Sequence, residues 1–303
     1  MEFRSLLVPL DGSPFAEQAL PVAIEIAQAA QADIRLVLVH RSFPRGTKAR
    51  LAALKTERGY LQQVAARAQE ITGTRLLAVA LTGPVVAALR EHIDRADVDL
   101  VVMTTHGRGV LERAWLGSVA DALLRTADVP ILLLRPAENA PSIARLEVTR
   151  LLVPLDGSSL SERIIPPAVA MARLLGAEVS LVQLVTPVEL PNDFPPAVTE
   201  FDAHLTELAE QQAKDYLDSL ADSIRSDGLM VSTASAVTRG AAAGILDLAR
   251  DPAIGMIALA THGRGGLRRT FLGSVADKII RGSDRPVLVY RPPQLPRKTR
   301  RRK

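Results

Sequence analysis

A glycine-rich stretch that occurs twice in the chain has the residue types and spacing to hold phosphate. Residues 105–121 read THGRGVLERAWLGSVAD, and residues 261–277 read THGRGGLRRTFLGSVAD. Glycine allows a ligand to approach the backbone closely, and the N–H groups that begin a helix point at anions. Arginine adds charge-assisted hydrogen bonds to phosphate oxygens. The predicted phosphate-binding residues are Gly107, Arg108, Gly109, Gly117 and Ser118 in the first copy, and Gly263, Arg264, Gly265, Gly266, Gly273 and Ser274 in the second.

The same residues also fit a purely structural interpretation. Ser118 and Asp121, like Ser274 and Asp277, have the spacing of a capping box, in which the serine hydroxyl accepts a hydrogen bond from an unpaired helix N–H group. The two interpretations are compatible, since a capping side chain could give way to a ligand. The sequence leaves both open.

A second repeated motif supplies a carboxylate near the start of each copy. LLVPLDGS occurs at 6–13 and again at 151–158, so Asp11 and Asp156 each follow an apolar run. Asp-Gly-Ser is also an ordinary turn composition, which is the alternative role for both aspartates. The five histidines have no metal-ligand spacing, although His106 and His262 could contact phosphate or stabilise the turn.

The elements that must position these residues alternate between short apolar runs and longer helical patterns. Runs such as SLLVPL, IRLVLV and DLVVMT are almost continuously apolar, which is typical of parallel strands buried on both faces. Five such runs and about four helical patterns per copy predict two doubly wound α/β domains. Ligands of such sheets bind at the carboxyl ends of the strands, and the repeated polar motifs fall there.

Composition restricts the class of protein. The chain has 303 residues, 48% of them hydrophobic, no cysteine and a net charge of +4. No apolar run approaches a membrane span and the N-terminus lacks the pattern of a secretory signal, so we expect a cytoplasmic protein without disulfides. Six basic residues lie in 297–303, which predicts a disordered tail that contacts nucleic acid only nonspecifically, if at all.

Taken together, these motifs resemble the universal stress protein family. The resemblance rests on the strand followed by Pro-x-Asp-Gly-Ser, on Gly, nine residues and Gly-Ser, on Val-Ala-Asp, and on the final apolar strand. It covers both copies, so the chain is similar to a tandem member of the family. The resemblance implies two flavodoxin-like (Rossmann-like) domains, each with a five-stranded parallel sheet flanked by helices. We expect a first domain at 1–137, a linker at 138–149, a second domain at 150–293 and a basic disordered tail at 294–303.

The resemblance also implies ATP as the ligand, with Mg²⁺ bound through the phosphates near Asp11 and Asp156. One family glycine is replaced by Thr104 and Ala260; the smaller alanine favours binding in the second half. Carried over residue by residue, the first nucleotide site comprises Pro9, Leu10, Asp11, Val39, His40, Met103, Thr104, His106, Gly107, Arg108, Gly109, Gly117, Ser118 and Val119. The second comprises Pro154, Leu155, Asp156, Leu184, Val185, Leu259, Ala260, His262, Gly263, Arg264, Gly265, Gly273, Ser274 and Val275.

The implied function is that of a nucleotide-binding stress-response protein that acts through its conformation or through a partner, either another copy of itself or a regulatory protein. A scaffold of the same fold that binds no nucleotide is one alternative, and a slow ATPase is another. Because the sequence contains neither a Walker motif nor a Gly-x-Ser-x-Gly nucleophile elbow, we expect no enzyme. The fifth strands, ILLLR and VLVYR, are predicted to pair across the two halves, as edge strands do in dimers of the family.

Overall fold

The computed structural model of the chain describes residues 1–40, 48–105, 116–136, 146–187, 196–261 and 272–291, with only the backbone described at 48–54, 71 and 196–203. The first half contains strands β1 Ser5–Leu10, β2 Asp33–His40, β3 Leu76–Thr82, β4 Leu100–Thr104 and β5 Ile131–Leu134. Its helices are α1 Pro14–Glu17, α2 Leu20–Ala30, α3 Lys48–Thr72, α4 Val85–Arg95 and α5 Ser118–Thr126. Strands and helices alternate, as the apolar patterns predict.

The second half repeats this order. Its strands are β6 Arg150–Pro154, β7 Glu178–Val185, β8 Val231–Val237, β9 Ile254–Ala260 and β10 Val287–Tyr290. A short 3₁₀ helix, Ser161–Ile164, takes the place of α1, and the helices are α6 Ile165–Leu175, α7 Pro196–Arg225, α8 Ala241–Leu248 and α9 Ser274–Gly282. None of the helices in the described ranges is both long and apolar enough to cross a membrane.

The two halves share one sheet of ten strands in the order β3-β2-β1-β4-β5-β10-β9-β6-β7-β8. Strands within each half are parallel, whereas β5 and β10 pair antiparallel, with Leu132 opposite Leu288. The predicted pairing of the fifth strands is therefore confirmed. Because the two sets of strands run in opposite directions, the carboxyl ends of the first half and those of the second lie at opposite edges of the sheet.

Helices cover both faces of the sheet and bury two apolar layers that cross the boundary between the halves. On one face, side chains of α2, α3, α6 and α7 pack against the strands. On the other face, side chains of α4, α5, α8 and α9 do so. All five residues of β4 are buried, as expected for a strand covered on both sides. The shared layers fix the position of one half against the other.

The described part of the predicted linker packs into the molecule. Leu146 and Val148 are buried, and the Glu25 carboxylate on α2 accepts a hydrogen bond of 2.7 Å from the Leu146 backbone N–H group. The strand pairing between β6 and β9 also shifts at this point, because Arg150 pairs with Ile254 whereas Leu151 pairs with Met256. Gly255 is the residue left over at this bulge. The segment between the halves is thus held by α2 of the first half and by the pairing of β6 with β9 in the second half.

Candidate functional site

The carboxyl ends of β1, β2 and β4 meet at the point where the strand order reverses. β1 lies between β2 and β4, with Pro9 opposite Val37 and Leu7 opposite Val101. In the second half, β6 lies between β7 and β9 in the same way. Open α/β sheets bind ligands at this switch point. The structure brings together at one edge the predicted residues Pro9, Leu10, Asp11, Val39, His40, Met103 and Thr104, and at the other Pro154, Leu155, Asp156, Leu184, Val185, Leu259 and Ala260.

Each Asp-Gly-Ser motif forms a hydrogen-bonded turn at this edge. An Asp11 carboxylate oxygen accepts hydrogen bonds from the Ser13 backbone N–H group at 2.9 Å and from the Ser13 hydroxyl at 2.6 Å. Asp156 and Ser158 repeat the arrangement at 3.0 and 2.6 Å. The turn role of both aspartates is therefore present in the structure. Both aspartates are only partly buried at this edge.

The helices that follow β4 and β9 begin at this edge without a side-chain cap. Gly117 and Gly273 are the N-cap residues of α5 and α9, and among the described residues neither helix start has a side-chain capping hydrogen bond. The capping-box interpretation is therefore wrong, since Ser118 and Ser274 are already the first helical residues. The carboxylate expected to complete the box turns along the helix instead: Asp121 binds Arg125 at 2.8 Å, and Asp277 likewise binds Arg281 at 2.9 Å.

Uncapped starts leave three backbone N–H groups per helix without an acceptor in the helix. The first helical hydrogen bonds run from Asp121 to Gly117 and from Asp277 to Gly273. The N–H groups of 118–120 and 274–276 precede them, and the positive end of the helix dipole lies at the same place. Ser118 and Ser274 are exposed to solvent. These groups can accept an anion without breaking any hydrogen bond of the helix.

The two N-cap glycines have a different role from these amides. The Gly117 N–H group donates to the Thr105 carbonyl at 2.6 Å, and the Gly273 N–H group donates to the Thr261 carbonyl at 2.9 Å. A Cβ atom at Gly273 would lie 2.8 Å from that Thr261 oxygen. Glycine is needed here because the backbone passes close to the end of the strand. It brings the helix start to the edge of the sheet rather than binding a ligand through its own N–H group.

The halves differ at the end of the second strand, where the base of a nucleotide is expected. In the first half the buried His40 Nδ1 lies 2.9 Å from a Glu57 carboxylate oxygen of α3. The corresponding residues of the second half are Val185 and Ala213, which are both buried. The backbone is the same in both, since the His40 carbonyl accepts from the Gly83 N–H group and the Val185 carbonyl from the Thr238 N–H group. The buried position at the end of the second strand is therefore polar in the first half and apolar in the second.

A tyrosine on the long helix of each half holds the segment that follows the Asp-Gly-Ser turn. The Tyr60 hydroxyl donates to a Glu17 carboxylate oxygen at 2.8 Å, and the Tyr216 hydroxyl donates to Glu162 at 3.0 Å. This pair of contacts was not predicted from the sequence. Its signal is the repeat itself, because the tyrosines are separated by the same 156 residues as the glycine motifs and the glutamates by the same 145 residues as the Asp-Gly-Ser motifs.

Replacing Tyr60 with phenylalanine should lower the free energy of unfolding by about 1 kcal/mol near neutral pH, because one half-buried hydrogen bond is lost. Burial, and then the hydrogen bond to Glu17, raise the pKa of the Tyr60 hydroxyl above its ordinary value of 10.0. The stabilisation is therefore fully present below pH 10.0 and is lost as the pH rises toward the pKa of the folded state. Urea unfolding of both proteins at a series of pH values measures this. A difference that stays constant into the alkaline range would contradict it.

The two long helices have opposite net charge by sequence. α3 contains five Lys and Arg residues and two Glu residues, whereas α7 contains seven Asp and Glu residues and two Lys and Arg residues. Each helix follows the second strand of its half and begins at the carboxyl edge. A polyphosphate at the first edge is therefore attracted by α3, and one at the second edge is repelled by α7.

Several predicted site residues lie outside the described residues: His106, Gly107, Arg108 and Gly109 in the first half, and His262, Gly263, Arg264, Gly265 and Gly266 in the second. Thr104, at the position of a family glycine, is buried, and Ala260 is half-buried. The described residues contain no group of three or more His, Asp or Glu side chains able to hold a metal ion.

Comparison with known proteins identifies both halves. The sequence profile of the Universal stress protein family matches residues 2–135 and 147–291. A universal stress protein of Mycobacterium tuberculosis is 31% identical over 234 residues, covering 76% of this chain and 68% of the relative. A second from the same organism is 29% identical over 199 residues, which are 64% of this chain and 62% of the relative, slightly less than two thirds of its length.

Solved structures support the fold over nearly the whole chain. The crystal structure of a universal stress protein from Archaeoglobus fulgidus aligns with a TM-score of 0.68 at 17% identity, covering 96% of this chain and 98% of that one. A protein of unknown function from Pseudomonas aeruginosa aligns with a TM-score of 0.66, also at 17% identity, covering 96% and 93%. The arrangement of two flavodoxin-like halves on one sheet is thus shared with these proteins.

Proposed function

Because the chain belongs to the universal stress protein family, we propose that it is a regulatory protein of the stress response that binds an adenine nucleotide, ATP, at the carboxyl edge of each half. The observation that carries the proposal is the uncapped start of α5 and α9 at the strand-order switch point. Three N–H groups per helix point out of that start with no acceptor in the helix, and phosphate is the anion that such sites favour.

The surrounding residues fit the other parts of a nucleotide. Asp11 and Asp156 directly follow the central strands β1 and β6, at the edge where α5 and α9 begin, and there they could bind a ribose hydroxyl or a phosphate-bound cation. Mg²⁺ would be held mainly by the phosphates, since each half offers only one carboxylate among its predicted site residues. When bound, the cation would neutralise phosphate charge. The base would lie against Pro9 and Leu10, or Pro154 and Leu155, beside the end of the second strand.

The two sites are expected to differ in affinity. The basic α3 favours polyphosphate in the first half, whereas Ala260, which is smaller than Thr104, leaves more room in the second. The sites differ further at the end of the second strand, where the first half has the polar pair His40 and Glu57. The second half has Val185 and Ala213 at these positions. A protein with unequal sites at opposite edges of one sheet can respond to nucleotide in two stages. Such a response suits a regulator, and no arrangement of acid and base for turnover is needed for it.

Isothermal titration of the full chain with ATP in the presence of Mg²⁺ tests the proposal, with adenosine as the comparison ligand. We expect saturable ATP binding that is at least about tenfold tighter than adenosine binding, because charge-assisted hydrogen bonds to phosphate contribute about 1.5–3 kcal/mol each. ATP consumption is measured on the same samples. Absence of ATP binding would favour the scaffold alternative, and rapid ATP turnover would favour an enzyme.

A further inference from the structure

A groove lies between α7 and the edge strand β8, away from the helix starts described above. It has a volume of about 390 Å³ and is lined by Glu207, Glu210, Gln211, Lys214, Leu217, Thr233, Ala234 and Ser235. β8 ends the ten-stranded sheet, so its outer backbone groups have no neighbouring strand within the described residues. The strand consists of small and β-branched residues, VSTASAV, and has none of the charged or proline residues that usually protect an edge. The groove can therefore accept a segment of chain.

The charge of the groove is acidic. Glu207 is exposed and Glu210 half-exposed, and with the exposed Lys214 in the same lining the groove has a net charge of −1, two carboxylates against one ammonium group. At the repeat-related positions of the first half the sequence has Leu51 and Leu54, so the acidic character belongs to the second half alone. A segment that fits this groove should be basic.

The groove opens at the same edge of the sheet at which β10 ends. α7 runs antiparallel to β8, since Arg225 binds the Val231 carbonyl and Asp218 binds the Thr233 hydroxyl. Glu207 and Glu210, further toward the start of α7, therefore lie beside the carboxyl end of β8. Because β8, β7, β6, β9 and β10 are parallel, this is the edge at which the chain leaves β10 after Tyr290.

The segment after Arg291 has the charge and the length to reach the groove. Residues 297–303 read RKTRRRK and contain six basic residues. Four strand spacings of about 4.8 Å separate β10 from β8, a distance of about 19 Å. Six residues from Arg291 to Arg297 span about 20 Å when extended. An extended connection of this length is therefore just long enough for the first basic residue to reach the groove.

We propose that the basic segment 297–303 docks in the groove formed by α7 and β8 of its own chain. The occupant differs from any ligand of the helix starts, and the proposal does not depend on nucleotide binding.

Pairwise cross-linking tests the docking. The chain contains no cysteine, so Gln211→Cys combined with Thr299→Cys creates one unique pair of thiols in the full chain. The matched control is Lys55→Cys with Thr299→Cys, because Lys55 is the repeat-related position of Gln211 and lies at the opposite edge. With a short bismaleimide at low salt, we expect the intramolecular product of the first pair to exceed that of the control by at least about fivefold, as for any tethered pair held close together.

The dependence of the cross-link yield on charge provides a second test of the docking. Reversing the groove with Glu207→Lys and Glu210→Lys, or adding high salt, should reduce the cross-link of the 211 and 299 pair to the control level. The reversal Glu91→Lys with Asp94→Lys on the exposed face of α4 changes the net charge equally and should leave it unchanged. Equal yields for the two thiol pairs, or a yield that is insensitive to groove reversal and salt, would overturn the proposal. Cross-linking that is lost only when nucleic acid is added would show that the groove releases the segment to a competing polyanion, and docking would stand.

Discussion

Replacing Ser118 with proline should weaken ATP binding in the first half about tenfold or more while leaving α5 intact. Proline is well tolerated at the first helical position, because the N–H group it lacks has no acceptor in the helix. Gly117, the residue before it, has φ of −65° and ψ of 150°, the extended conformation that a following proline requires. The substitution therefore removes one phosphate-facing N–H group without the cost of breaking a helix. The lost charge-assisted hydrogen bond corresponds to about 1.5–3 kcal/mol.

Ser118→Ala is the matched control, since it removes the hydroxyl and keeps the N–H group. Ser274→Pro is the equivalent change in α9, where Gly273 has φ of −57° and ψ of 143°. Titration calorimetry of the single and double proline variants assigns each binding step to one half. Circular dichroism and thermal unfolding verify that the helices persist. If both proline variants bound ATP as tightly as the wild type, the helix starts would not be the phosphate sites.

Replacing Gly255 with alanine should lower the free energy of unfolding by about 3 kcal/mol, the upper end of what overpacking of a core ordinarily costs. A Cβ atom there would lie 2.4 Å from the Glu147 carbonyl oxygen and 2.5 Å from the Val148 Cα atom. Both are backbone atoms of the segment that joins the halves, so neither can rotate away. The bulge between β6 and β9 puts Gly255 against this segment, and relief of the clash would displace the buried Val148.

Gly59→Ala is the control for the added methyl group. A Cβ atom at Gly59, within α3, would have no atom within 4 Å. The substitution should therefore raise stability by about 0.5–1 kcal/mol, because glycine in a helix is less favourable than alanine. Urea unfolding of the two variants should give changes of opposite sign. A Gly255→Ala protein as stable as the wild type would mean that the connecting segment is not packed against β9 in solution.

The sequence determines the main elements because burial on both faces leaves a clear apolar signal. Within DLVVMT and ILLLR, the strands Leu100–Thr104 and Ile131–Leu134 have no polar residue in their central positions and are buried at every residue. The pairing of β5 with β10 is also predictable, since each is the outermost strand of its half and would otherwise expose its backbone. The family resemblance then supplies the strand order.

Other features could not be predicted from residue spacing alone, because they depend on three-dimensional contacts. A capping box and an uncapped helix that begins one residue earlier have the same residues, and the first helical hydrogen bond, from the Asp121 N–H group to the Gly117 carbonyl, decides between them. The bulge at Gly255 and the packing of Leu146 and Val148 depend on contacts between distant segments. The pairs of Tyr60 with Glu17 and of Tyr216 with Glu162 could have been found by comparing the two copies position by position.

The proposed function depends on the binding of phosphate to the backbone N–H groups that begin α5 and α9. An ATP titration of isotope-labelled protein, followed by amide NMR, measures those groups directly. We expect the amide resonances of Ser118, Val119, Ser274 and Val275 to shift saturably with ATP and inorganic triphosphate but not with adenosine. ATP binding that leaves these four resonances unchanged would contradict it.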